Sequence, residues 1–320
     1  MEIIDLQRLL HNMMRVRRME ELCAELYTQE KIRGFLHLYI GEEAVVTGVM
    51  SLLRPKDNVM ATYREHGHAL LKGVSAKSIM AEMFGKIEGC SRGRGGSMHL
   101  ISTEDRFFGG NAIVAAGIPQ AVGLALASKK LNEDRQTVCF FGEGAVAEGV
   151  FHEALNMAEL WKIPVLFCCE NNYYAMGTAI ERSQAQINLP KKAEAHNVTS
   201  QSVDGMNIFE VIEKTKEALD FIKREGRPYF LEFRTYRFRP HSMFDPELYR
   251  SREEVIRWKE KDPISFLIEH MKKKNLFSQE AIQSLEKKVE EEMQEAISFA
   301  KNSENEPVED LEKYLYENDL

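Results

Sequence analysis

The sequence predicts an α/β fold: a doubly wound, mainly parallel sheet flanked by helices, with helical extensions at the N- and C-terminal ends. Apolar, β-branched runs of strand length recur along the chain, and stretches of helical period separate them. Strands alternating with helices build βαβ units, and such units make a parallel sheet covered on both faces. Two long stretches marked by glycine and proline interrupt the alternation and read as loops.

Taken in order, MEIIDLQRLLHNMMRVRRMEE opens the chain as a helix with Leu6, Leu9, Leu10, Met13, Leu22 and Leu26 on one stripe. The predicted strands are DNVMATY (57–63), QTVCFFG (136–142), IPVLFCCEN (163–171) and RPYFLEFRTY (227–236). Helical period returns in GVFHEALNMAELWK (149–162) and IFEVIEKTKEALDFIKREG (208–226). Residues 85–111 hold seven glycines and no clear period, so they form a long irregular loop, and RFRPHSMFDPELYR (237–250) forms a second after the last strand. Loops of this length in a compact domain are usually functional or disordered. Residues 276–304 read as a charged helix whose KKVEEEMQE run is a solvated face. No internal repeat or low-complexity linker divides the chain, so residues 1–320 read as one domain.

Composition narrows the function classes. The 320 residues are 44% apolar and 29% charged, an ordinary globular balance. A net charge of −8 argues against nucleic acid as the main partner, because phosphate backbones demand a basic surface. No run approaches the ~18 apolar residues of a membrane helix, and the N-terminus is too charged for a secretory signal. The five cysteines include no C-x-x-C pair, so neither a disulfide framework nor a zinc site is indicated; a reducing cytoplasm is the expected compartment.

The chemistry concentrates in FFGEGAVAEG (140–149), where Glu143 stands between two glycines at a strand end. Gly142, Gly144 and Ala147 fit the dinucleotide pattern G-x-G-x-x-A, with Glu170 placed as a ribose-binding acid. That reading sets the Glu143 carboxylate against an incoming pyrophosphate. A divalent cation offers the other reading, since magnesium is held by one or two carboxylates together with substrate phosphates. Glu143 leaves the carboxyl end of one strand, and Asn171, Asn172 and Tyr174 leave the carboxyl end of the next. Neighbouring strands would bring these groups into one crevice.

A G-D/E-G triplet followed about thirty residues later by N-N is the signature of thiamine diphosphate enzymes, and the run from Gly142 to Asn172 matches it. Over residues 5–265 the chain resembles the α subunit of the decarboxylating component of 2-oxo acid dehydrogenase complexes. The resemblance rests on FLHLYIGEEA (35–44), TYREHGHALLKG (62–73), GRGGSMHL (93–100), FFGGNAIVAAGIP (107–119), ENNYYAMGTAIERS (170–183), VDGMN (203–207) and TYRFRPHSMFDPELYR (235–250).

What the resemblance implies can be written residue by residue. Glu143, Asn172 and the backbone carbonyl of Tyr174 would ligate magnesium. Tyr63, Arg64 and the backbone of Gly144 and Ala145, beyond the Gly142 turn, would meet the diphosphate of thiamine diphosphate. Ala112 and Val114 would contact the aminopyrimidine, with the Val114 side chain holding the cofactor bent. His241 would lie against the diphosphate and the reacting groups, and His37 on the substrate side. His66 and His68 are left open, while His11, His99, His152, His196 and His270 read as structural or surface histidines. Ser242 matches a serine that kinases modify in some relatives and reads here as a plain loop serine.

The resemblance also implies partners. The diphosphate-and-metal motif occurs once, so a β subunit must bring the pyrimidine side and its glutamate, as an α₂β₂ assembly. The reaction would be oxidative decarboxylation of a 2-oxo acid, with acyl transfer to a lipoyl group on an acyltransferase. AMGTAIERS and HSMFDPELYR resemble pyruvate-specific relatives most. Glu143, where those relatives commonly carry aspartate, is shared with branched-chain relatives, and acetoin dehydrogenase α subunits share most landmarks. Arg239 and Pro240 depart from the His-Gly of the mammalian pyruvate enzymes.

Overall fold

In a computed structural model, residues 6–315 are described; the first five residues of the predicted N-terminal helix and residues 316–320 lie outside them. Seven strands appear: β1 (Asn58–Met60), β2 (Thr137–Gly142), β3 (Val165–Asn171), β4 (Tyr174–Ala175), β5 (Thr178–Ala179), β6 (Thr199–Asp204) and β7 (Tyr229–Arg234). Five form one sheet in the order β1-β2-β3-β7-β6, every pairing parallel, while β4 and β5 make a separate antiparallel hairpin. All four predicted strands are present. The polar strand β6, TSQSVD, was not predicted; it sits at the sheet edge, where water replaces one neighbour and apolar alternation is not required.

The helices are α1 (Leu6–Thr28), α2 (Glu43–Met50), α3 (His66–Lys72), α4 (Ala76–Met83), α5 (Gly117–Lys130), α6 (Gly149–Leu160), α7 (Ile180–Ser183), α8 (Leu189–Glu194), α9 (Ile208–Glu225), α10 (Arg252–Lys259), α11 (Pro263–Lys273) and α12 (Gln279–Asn302). They cover both sheet faces. Along β2 and β3, Val138, Phe140, Leu166 and Cys168 enter one core with α1, α2 and α9. The alternate residues Cys139, Phe141, Val165, Phe167 and Cys169 enter a second core with α5, α6 and α8. This period of two across two buried faces is why both strands read as unbroken apolar runs.

In α1, Leu9, Leu10, Met13, Leu22 and Leu26 are buried and Leu6 packs at the core margin. The C-terminal helix departs from the expectation of a solvated face: Val289 and Met293 are buried, and its acids reach α1. Glu292 pairs with Arg15 and Glu290 with Arg18, both at 2.6 Å, so the acidic run is partly a docking seam. Residues 85–111 are irregular apart from a short 3₁₀ turn at Gly96–Met98, and 237–250 contain no helix or strand. Among the described residues no helix is long and apolar enough to cross a membrane.

Candidate functional site

Parallel pairing decides which side chains meet. Gly142 of β2 lies opposite Glu170 of β3, so Glu143 and Asn172 leave neighbouring strand tips on the same level. Residues Glu143–Ala147 form a 3₁₀ turn, and the backbone nitrogen of Asn172 donates to Glu143 Oε2 at 3.3 Å. The other oxygen, Oε1, is buried without a hydrogen-bond partner. Burial raises the Glu143 carboxyl above its usual range, opposed by hydrogen bonds and by the positive charges of Arg237 and Arg64.

The two asparagines part company at the end of β3. Asn171 donates its amide to Glu232 at 2.7 Å and caps the nitrogen of Tyr173, so its side chain is spent on structure. Tyr173 takes a left-handed φ of 71° and turns the chain back into the β4–β5 hairpin. Asn172 Oδ1 accepts from the nitrogen of Tyr174 at 3.4 Å and from Arg237 Nη1 at 3.3 Å, while its amide nitrogen donates to Glu42 Oε1 at 3.2 Å. Gly144 is required where the hairpin crosses: a Cβ there would stand 2.7 Å from the Ala175 Cβ.

These tips open into a cavity of about 540 Å³. Gly142, Glu143, Gly144 and Ala145 line it from β2, and Asn172 and Tyr174 from β3. Tyr63 and Arg64 line it from the segment after β1, Ala112 and Val114 from just beyond the first long loop, and His37 and His241 side by side. Every residue that the family resemblance placed at the site therefore lines one space, whereas Asn171, expected in the same crevice, does not. Val114 and its neighbour Ile113 are 47% and 70% exposed, an apolar rim at the mouth.

The rings of His37, Tyr63 and His241 cluster, with centroids 4.5 Å apart for His37–Tyr63 and 5.0 Å for His37–His241. Burial, followed by the nearby Arg64, drops the His37 ring to about 2; burial, Arg64 and Arg237 drop His241 to about 3. Both rings are therefore neutral, and each has a buried Nδ1 without a partner. The His241 backbone nitrogen donates to Asp245 at 2.8 Å, which folds the loop over the cavity.

Three side chains have environments the sequence did not disclose. The Arg64 guanidinium donates to the carbonyls of Leu38 at 2.8 Å and His241 at 2.9 Å, so its terminal nitrogens are engaged by backbone. Arg237, missed in the sequence reading, is 2% exposed and spans Asn172, Tyr249 and the carbonyl of Arg239. Its only sequence signal was its place in the Arg-rich run that follows the last strand. Glu42 was missed as well; its carboxyl is raised by burial and by Glu170 beside it.

Glu170 tests the dinucleotide reading. Its Oε1 accepts from the Tyr39 hydroxyl and lies 3.2 Å from His68 Nε2, so one carboxylate oxygen is held by core partners although the residue lines the cavity. His66 is equally a core residue, 2.9 Å from Glu20 and 2.8 Å from the Ser97 hydroxyl.

The residues present fit a hard cation. A buried carboxylate with one unpartnered oxygen, an amide oxygen that here also accepts from Tyr174 N and Arg237 Nη1, and a main-chain carbonyl are the kinds of oxygen donor magnesium takes. Among the described residues no three His, Cys, Asp or Glu converge as a metal cage. The remaining positions would fall to phosphate and water.

Residues 11–309 match the family model described as dehydrogenase E1 component. The chain is 42% identical over 315 residues to the pyruvate dehydrogenase E1 component subunit alpha of Porphyra purpurea, covering 96% of this chain and 92% of that one. It is 44% identical over 297 residues to the protein of the same name in Zymomonas mobilis, covering 91% and 82%. For that of Rickettsia bellii the figures are 40% over 305 residues, with 95% and 94% covered. The chain belongs to the dehydrogenase E1 component family.

Proposed function

We propose that this chain is the α subunit of a pyruvate dehydrogenase (acetyl-transferring), working with thiamine diphosphate and magnesium at an interface with a β subunit. The observation that carries the reading is the Glu143–Asn172 juxtaposition: a buried carboxylate with a free oxygen, at adjacent strand tips, in a cavity large enough for a cofactor. The relatives named pyruvate dehydrogenase E1 component subunit alpha, at 40–44% identity over most of both chains, support the substrate.

Thiamine diphosphate, when bound, supplies the electron sink that lets a 2-oxo acid lose carbon dioxide. Glu143, Asn172 and the Tyr174 carbonyl would hold the magnesium. Tyr63 and the backbone nitrogens of Gly144 and Ala145 would take the diphosphate, with the buried charges of Arg237 and Arg64 favouring an anion in the same cavity. His37 and His241, neutral and with unpaired Nδ1 atoms, would offer hydrogen bonds to a bound group at the cavity wall. The apolar rim at Ile113 and Val114 suits a partner domain that closes the mouth and brings a glutamate to the pyrimidine side. In this reading the whole chain acts as a single diphosphate-gripping unit, in an α₂β₂ assembly that passes its acyl group to a lipoyl-bearing acyltransferase. A reducing cytoplasm suits five unpaired cysteines.

The test is calorimetry on the co-purified α/β assembly, with thiamine diphosphate in the presence and absence of magnesium and NADH as control. Carbon dioxide release from pyruvate is then compared with branched-chain 2-oxo acids and with acetoin turnover. Binding of NADH, or cofactor binding indifferent to magnesium, would overturn the reading; preference for a branched-chain acid or acetoin would revise its substrate.

A further inference from the structure

We infer that Glu42 is a positioning residue of the cation site: it locks the Asn172 amide with its oxygen toward the metal and holds a metal-bound water on its own second oxygen. The inference rests on the function proposed above. Glu42 and Glu43 are consecutive carboxylates with opposite fates. Glu43 is used up in the core, where it takes Arg17 at 2.5 Å and the backbone nitrogen of Gly41. Glu42, 1% exposed, instead lines the cavity. Gly41 allows this split, since its φ of +106° brings its Cα against the Tyr236 carbonyl, 2.4 Å from where a Cβ would stand.

The amide of Asn172 can present either oxygen or nitrogen to a given side unless its neighbours forbid one choice. Here they do. Tyr174 N and Arg237 Nη1 are donors and can only face Oδ1, while Glu42 Oε1 is an acceptor and can only face the amide nitrogen. Remove Glu42 and the nitrogen side loses its partner, which leaves the amide held from its oxygen side alone by contacts of 3.4 and 3.3 Å. The second oxygen, Oε2, is buried with no hydrogen-bond partner, as is Glu143 Oε1, and both residues line the same cavity. Magnesium releases its waters reluctantly, so a carboxylate oxygen near the cation would meet one of those waters. Residues at this remove orient the ligands, and their loss typically lowers metal affinity about 10- to 100-fold.

The experiment titrates magnesium by calorimetry into the co-purified α/β assembly at fixed excess thiamine diphosphate, and separately measures cofactor affinity at saturating magnesium. Glu42→Ala is expected to lower magnesium affinity about 10- to 100-fold, with cofactor affinity recovering at saturating metal. A residue that merely supports the fold would weaken both measurements together, and that result overturns the inference. Glu42→Gln keeps an acceptor for Asn172 but turns an NH₂ toward the bound water, so its magnesium loss is smaller but measurable; it decides the matter if Glu42→Ala fails to co-purify. Parental magnesium affinity in the variants overturns the role of Glu42 while leaving the function intact. A parent that binds cofactor without magnesium overturns both.

Discussion

Arg64 donates to the backbone carbonyl of His241 at 2.9 Å and thereby pins the 237–250 loop to the segment that follows β1. Its other terminal nitrogen holds the buried carbonyl of Leu38, so one side chain ties together the two segments that carry His37 and His241. Arg64→Ala strands the Leu38 carbonyl, with an expected cost of about 1–3 kcal/mol in a denaturant titration. Proteolytic cutting within 237–250 should rise in the same variant. In the parent, cutting there should fall when thiamine diphosphate and magnesium are added; unchanged cutting in both comparisons would mean the loop is held by something else.

Gly144→Ala is expected to disrupt the hairpin, because the new methyl would stand 2.7 Å from the Ala175 Cβ. Overpacking of this kind costs about 1–3 kcal/mol, and here the displaced strand also carries the Tyr174 carbonyl. The variant should show a lowered thermal midpoint together with weakened magnesium-dependent cofactor binding. A parental binding curve would show that the crossing tolerates the methyl group.

Glu143→Ala should abolish magnesium-dependent binding of thiamine diphosphate in the α/β assembly. Without metal, the same substitution removes a carboxyl that burial penalises, so the apo fold should lose little stability. Calorimetry and thermal unfolding measured side by side separate the two effects. Retained metal dependence would move the cation elsewhere.

The neutral histidines set a pH dependence of stability. His241 and His37 titrate near 3 and 2 in the folded chain, against about 6.5 when unfolded. Between those limits the unfolded state binds more protons, so stability is complete above about pH 6.5 and falls as pH drops toward 3. His241→Gln should flatten the slope of melting temperature against pH across this window relative to the parent. An unaltered slope would show that His241 is protonated in the folded state.

The isolated chain should not turn over pyruvate. Its cavity opens at an apolar rim that nothing among the described residues covers, with Ile113 70% exposed. Activity should appear on adding the β subunit. Turnover by the purified α chain alone would remove the need for a partner's glutamate.

Much of the architecture was legible because its causes are local. Central strands of a parallel sheet must be apolar on both faces, so Val165–Asn171 announces itself as a run, and helices such as Ile208–Glu225 carry their period in the sequence. The edge strand Thr199–Asp204 did not, since an edge position tolerates polar residues. The glutamates at 290 and 292 read as solvated because their arginine partners lie more than 270 residues away.

The site divides along the same line. By itself the sequence determined that a glutamate between two glycines ends one strand, that two asparagines end the next, and that both belong to a recognisable set of motifs. Only the tertiary structure decided which asparagine faces the glutamate, that Arg64 is engaged by backbone carbonyls, and that Glu42 and Arg237 complete the surroundings of Asn172 across 130 and 65 residues of chain. The physical reason is that periodicity and turn chemistry act over a few residues, whereas the direction of an amide or a guanidinium is set by whichever donors and acceptors folding places beside it.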